Sequence, residues 1–225
     1  MPSAADIARF DDDDPPPGHS PWVVPPRPQA VEVAEPDPSW PARFAEIAAL
    51  LRAALGPRAL AIEHVGSTAV PDLPAKPIID VDLIVADPAD EAAWLPALEA
   101  AGFELTVREP WWHEHRLLRP AGGGANVHVF GPDAPEPWRH RILRDHLRRD
   151  ADDRALYARA KQEAAAAHDP SSQTTMDYNR AKEAAVREIA ARAFAAAGLV
   201  GRAGEDGEPD GEADAGRDGA GACPH

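Results

Sequence analysis

The reading turns on "IEHVGSTAVPDLPAKPIIDVDLIV", residues 62–85. One β-rich run ends at a Gly66-Ser67-Thr68 turn, and a second carries Asp80 and Asp82 among Ile and Val. Side chains alternate across a strand, so the two aspartates share a face while Ile79, Val81 and Leu83 point into a core. Adjacent ionised carboxylates repel, and each raises the other's pKa unless a cation lies between them. A divalent ion such as Mg²⁺ (or Mn²⁺) with oxygen ligands answers that need; capping of a strand end by two solvated aspartates is the plainer alternative. Gly66 permits close backbone approach, and Ser67 and Thr68 offer hydroxyls and N–H groups to a phosphate, although most such turns are only turns. Lys76, between turn and strand, is placed to neutralise a phosphate or simply to sit in a solvated loop.

Outward from this stretch, apolar and turn signals alternate. Ser39 and Pro41 open a helix through Phe44, Ile47, Leu50, Leu51 and Leu55, which Gly56 ends. "AVEVAE", "ALAIEHV", "PIIDVDLIV", "FELTVRE", "EHRLLRP" and "ANVHVFG" read as strands. "ADEAAWLPALEAAG" is a helix shortened or kinked at Pro96, and helices are expected over about 136–149, 152–168 and 175–197. This order predicts an α+β fold, a mixed sheet with flanking helices and a helical C-terminal part.

The flanks differ in kind. Residues 1–30 and 201–225 hold 12 acids against 4 basic residues, so more than half of the net charge of −15 lies there. Their Pro, Gly and Asp content predicts disordered tails over 1–30 and 199–225 around one domain at 31–198. No apolar run reaches the length of a membrane span, no signal-peptide pattern opens the chain, and Cys223 stands alone. A cytoplasmic location is therefore expected. The acidic balance argues against general nucleic-acid binding. A homodimer is allowed but not specified. "WWHEHR" offers only a weak zinc pattern, and no P-loop or G-x-S-x-G motif occurs.

The residues just quoted resemble the signature of the GrpB family, the UPF0157 group. "DPSWPARFAEI", "VHVF", "RHRILRDHLRRDADDRALYARAKQEAA" and "DYNRAKEAAVREI" extend the resemblance over roughly 31–197. Asp72 departs from the pattern, where a Gly is usual. The family is similar to nucleotidyltransferases of the polymerase-β type. That resemblance implies a five-stranded mixed sheet, Mg²⁺ held by Asp80 and Asp82, and a nucleotide whose terminal phosphates lie on Gly66 and Ser67. It implies metal-dependent nucleotidyl transfer to an unknown acceptor. The strand position of the usual third carboxylate is His128, either a metal ligand or base or a strand histidine with satisfied hydrogen bonds. Without that acid, a catalytically silent nucleotide- or CoA-type binding module is the alternative. His64 and Arg116 recur in the pattern and are placed in the pocket by resemblance; otherwise His64 orients the turn and Arg116 pairs with a carboxylate such as Glu63. Tyr178 and Lys182, four apart on one helix face, either close over the nucleotide or pack the helix onto the sheet.

Overall fold

The computed structural model describes residues 1–10 and 15–200. Five strands form one mixed sheet: β1 (Ala61–Val65), β2 (Ile79–Ile84), β3 (Phe103–Glu109), β4 (His115–Pro120) and β5 (Ala125–Phe130), in the order β1-β2-β5-β4-β3. Only β2 and β5 run parallel; the other neighbours are antiparallel. This is the α+β architecture the alternating signals predict.

The two sheet faces do different work. Val81, Leu83, Val127, Val129 and Leu118 form one buried surface with Leu51, Leu55, Trp94 and Leu98. The helical residues come from α2 (Trp40–Leu55) and α3 (Glu91–Ala100), which continues through Pro96. Seven of these side chains are inaccessible aliphatics at 0 % exposure, Leu51, Val81, Leu83, Leu98, Leu118, Val127 and Val129; each contributes roughly 2 kcal/mol by burial. The opposite face presents Asp80, Asp82, Asn126 and His128, because Asp80 pairs with Asn126 and Asp82 with His128 across the parallel ladder. Beyond it lie α4 (Glu136–Arg149), α5 (Ala151–Ala166), α6 (Thr175–Ala181) and α7 (Glu183–Ala196). A second core of Val70, Leu73, Leu147, Tyr157 and Ile189 ties these helices to the turn segment.

Three local expectations change. "AVEVAE" is no strand: Ala34 and Ala75 exchange two backbone hydrogen bonds of 2.9 and 3.0 Å, and no ladder follows. Pro36 and Pro38 cannot extend one. The helix expected over 175–197 breaks at Lys182 into α6 and α7. In the N-terminal flank, Ala4–Ala8 form a short helix, α1, with a Ser3–Asp6 capping box. Its Ile7 is buried, and Arg139 donates to the carbonyls of Asp6, Ile7 and Arg9. Residues 11–14 and nearly all of the C-terminal flank lie outside the described residues.

Candidate functional site

The turn after β1 explains its glycine. Gly66 has φ 68° and ψ −168°, a region that side chains other than hydrogen avoid. A Cβ there would meet Asp80 Oδ2 at 2.3 Å. Ser67–Ala69 then form one 3₁₀ turn. Thr68 faces inward: its hydroxyl donates to the Ile78 carbonyl (3.3 Å) and accepts from His64 Nε2 (3.0 Å). His64 stacks on Phe44 with ring centroids 4.7 Å apart. Burial, with Arg148 and Arg144 nearby, pushes its pKa down to about 4, so the ring is neutral. His64 and Thr68 brace the turn from the α2 side, whereas Val65, Gly66 and Ser67 reach the cleft.

That cleft is a cavity of about 240 Å³ between the sheet's polar face and the C-terminal helices. Lys76, Asp80, His128, Tyr178 and Lys182 all line it together with Gly66 and Ser67. Val65, Ile78 and five further polar side chains, Asn126, His140, Tyr157, Lys161 and Asn179, complete the wall. Sequence reasoning assigns these five no role. The available signal is the i, i+4 pairing of Tyr157 and Lys161 within an Ala-rich helix, and the single histidine of "RHRIL".

Three lysines converge on two tyrosines. Lys76 Nζ lies 5.1 Å from the Tyr178 ring centroid and Lys182 Nζ 5.6 Å from it, while Lys161 Nζ lies 4.5 Å from that of Tyr157. Lys161 is 2 % exposed and donates to the Pro74 carbonyl. Burial, reinforced by Lys182, pushes its pKa down to about 7 despite Asp80. Burial likewise lowers Lys76 to about 8, against the attraction of Asp80. Tyr178 is 1 % exposed beneath these ammonium groups, so it holds lysines in place and offers no open face to a base.

The two aspartates meet different partners. Asp80 Oδ1 accepts from Asn126 Nδ2 at 2.9 Å, and burial raises its pKa over the opposing pull of Asn126 and Lys76. Asp82 is at 0 % exposure, with His140 Nδ1 2.9 and 3.0 Å from its two oxygens. Burial alone would lower the pKa of His140, but the charge and hydrogen bond of Asp82, helped by Glu136 and Asp80, carry it up to about 9. The cation that faces Asp82 is therefore the His140 imidazolium, while the leading charge near Asp80 is Lys76, and Asp82 as arranged does not fit a metal ligand. A different trio, His146, Asp150 and Asp153, brings ligand atoms within 4.8 Å of one another. Its acceptors already serve Arg192 and the backbone N–H of Asp153.

Arg116 lies elsewhere. It pairs across the ladder with Val129, one residue from His128, and so points to the opposite face. There its Nε donates to Glu91 Oε1 at 2.6 Å; Glu63 instead binds Arg144, at 3.1 Å. Arg116 thus anchors α3 rather than lining the cleft.

Fold and cleft together define an α+β protein with one lysine-rich polar recess on a mixed sheet. The chain belongs to the GrpB family, whose profile matches residues 30–192. A UPF0157 protein of Halalkalibacterium halodurans is 43% identical over 166 residues, covering 74% of this chain and 84% of that one. A dephospho-CoA kinase of Mycolicibacterium paratuberculosis is 34% identical over 161 residues, covering 60% of this chain and 39% of that one. The crystal structure of the conserved protein GrpB from Enterococcus faecalis superposes with a TM-score of 0.65 at 30% identity, covering 74% of this chain and 99% of that chain.

Proposed function

We propose that the chain binds a small phosphorylated ligand, a nucleotide or CoA-type molecule, with its phosphate between the Gly66–Ser67 turn and the three lysines. The observation that carries this reading is the lysine cluster itself. Burying like charges together is costly, and here the cost shows in the depressed pKa values of Lys76 and Lys161. An anion among them relieves both the repulsion and the desolvation. The cavity of about 240 Å³ falls below the roughly 300 Å³ at which small-molecule pockets begin. It encloses a phosphate group, with the remainder of the ligand extending outside.

The second reading is metal-dependent nucleotidyl transfer. It is favoured by the placement of Asp80 and Asp82 on the sheet face beside the turn. It requires a divalent ion to take Asp82 from His140. Calorimetry with ATP and with dephospho-CoA, each with and without Mg²⁺, separates the two. Saturable binding that needs no Mg²⁺ and is lost in K161M supports the first. Binding or pyrophosphate release only with Mg²⁺, abolished in D80N and D82N, supports the second. No binding under any of these conditions would sink both.

A further inference from the structure

On the wall of the same cleft a chain of three side chains runs inward from His128. His128 Nδ1 lies 3.1 Å from His115 Nε2, and His115 Nδ1 lies 2.7 Å from Glu109 Oε2. The sheet sets this alignment. Glu109 pairs with His115 across β3–β4, and Leu117, two residues on, pairs with His128 across β4–β5. Ring packing holds it: His115 stacks on His128 at 5.3 Å and on Phe130 at 4.8 Å, while Trp112 meets His115 edge-on at 5.1 Å. His128 Nε2 has no hydrogen-bond partner among the described residues.

We propose that Glu109, His115 and His128 form a proton relay that makes Nε2 of His128 the acid–base group of the cleft. A carboxylate only accepts, so Glu109 places the proton of His115 on Nδ1. Nε2 of His115 is then an acceptor, which places the proton of His128 on its own Nδ1. The nitrogen left with a lone pair is His128 Nε2. A proton taken at Nε2 from a ligand hydroxyl or acidic P–OH moves through the chain: Nδ1 of His128 passes its proton to Nε2 of His115, and Nδ1 of His115 passes its proton to Glu109. The end state has a neutral carboxyl and two neutral rings, so no charge is stranded in the sheet. The surroundings suit that sequence. Burial pushes both histidines down to about 3, which keeps the rings neutral, and raises the affinity of Glu109 for a proton. Asp82, His140 and Glu136 face the histidines from β2 and α4. His128 is the group that would touch the ligand; His115 and Glu109 are positioning residues.

The alternative is a buried histidine pair that merely satisfies its hydrogen bonds. Long-range proton–nitrogen NMR of the full chain, with ¹⁵N-labelled histidine and no ligand, distinguishes them. The relay requires a bare Nε2 and a protonated Nδ1 on His128. In E109L it requires that His128 shift toward the Nε2-protonated form, with a severalfold slower reaction of His128 with diethyl pyrocarbonate, mapped by mass spectrometry. H115F, which keeps the stack, should act the same way, so a misfolded E109L does not decide the matter. A protonated Nε2 in the wild type, or an unchanged tautomer and reaction rate in a folded variant, would overturn the relay. The relay's role rests on the phosphate reading, which has its own readout here: ATP and inorganic phosphate should protect His128 from the reagent. Lack of protection with the tautomer as expected would refute the phosphate reading and leave the relay standing.

Discussion

Gly66 and Asp80 are packed so closely that a single methyl group on the glycine would lie 2.3 Å from the carboxylate. The glycine of the turn is thus required by the next strand before any ligand is considered. Gly66→Ala meets both this overlap and a backbone region reserved for glycine. Strain and overpacking together predict a loss of about 2–5 kcal/mol. Urea unfolding measures it; a cost below that range would show that Asp80 can move aside.

The Asp82–His140 pair gives a pH signature. The histidine's pKa is raised in the folded state to about 9 from 6.5. Its contribution is fully present below 6.5 and is lost as pH rises through 9. The size is on the order of 3 kcal/mol. Lys76 and Lys161, lowered when folded, act with the opposite sign toward 10.5. The quantity to measure is therefore the wild-type stability minus that of His140→Phe, which should shrink between pH 6.5 and 9. A flat difference would show that Asp82 is not paired with an imidazolium.

Lys161 trades stability for charge. In Lys161→Met the aliphatic stem remains and the desolvated ammonium goes, at the cost of one hydrogen bond to Pro74. The variant should be more stable than wild type by about 1–2 kcal/mol at pH 7 without ligand. Conversely, an anion bound to the wild type raises the lysine pKa values, so binding should take up protons near pH 7–8 and weaken as pH rises. Calorimetry in buffers of differing ionisation enthalpy reads the uptake. A destabilised K161M would mean that the lysine's contacts outweigh its desolvation.

Asp72 sits at φ 61°, a left-handed conformation that glycine adopts without strain. Asp72→Gly should stabilise the protein by about 0.5–1 kcal/mol, because aspartate tolerates the region better than most residues. Chemical denaturation decides; a loss would mean that the exposed side chain of Asp72 makes a contribution of its own.

Much of this architecture is present in local patterning. The run Ile79–Val81–Leu83 alternating with Asp80 and Asp82 specifies a strand with one oily and one acidic face, and β2 has both. The Gly-Ser-Thr turn, the helix from Trp40 and the five strands follow from equally local signals. The break of the last helix at Lys182 does not, since the residues around it are strong helix formers.

What the sequence by itself determined is which residues lie along each strand, and hence which side chains share a face. What only the tertiary structure decided is who stands opposite them. Asp82 meets His140 from a helix 58 residues away, Lys161 swings beside Lys76, and Arg116 falls on the far side of the sheet. Strand alternation is a short-range property of the backbone, whereas the neutralisation of a buried charge depends on whichever distant group packing brings within a few ångströms.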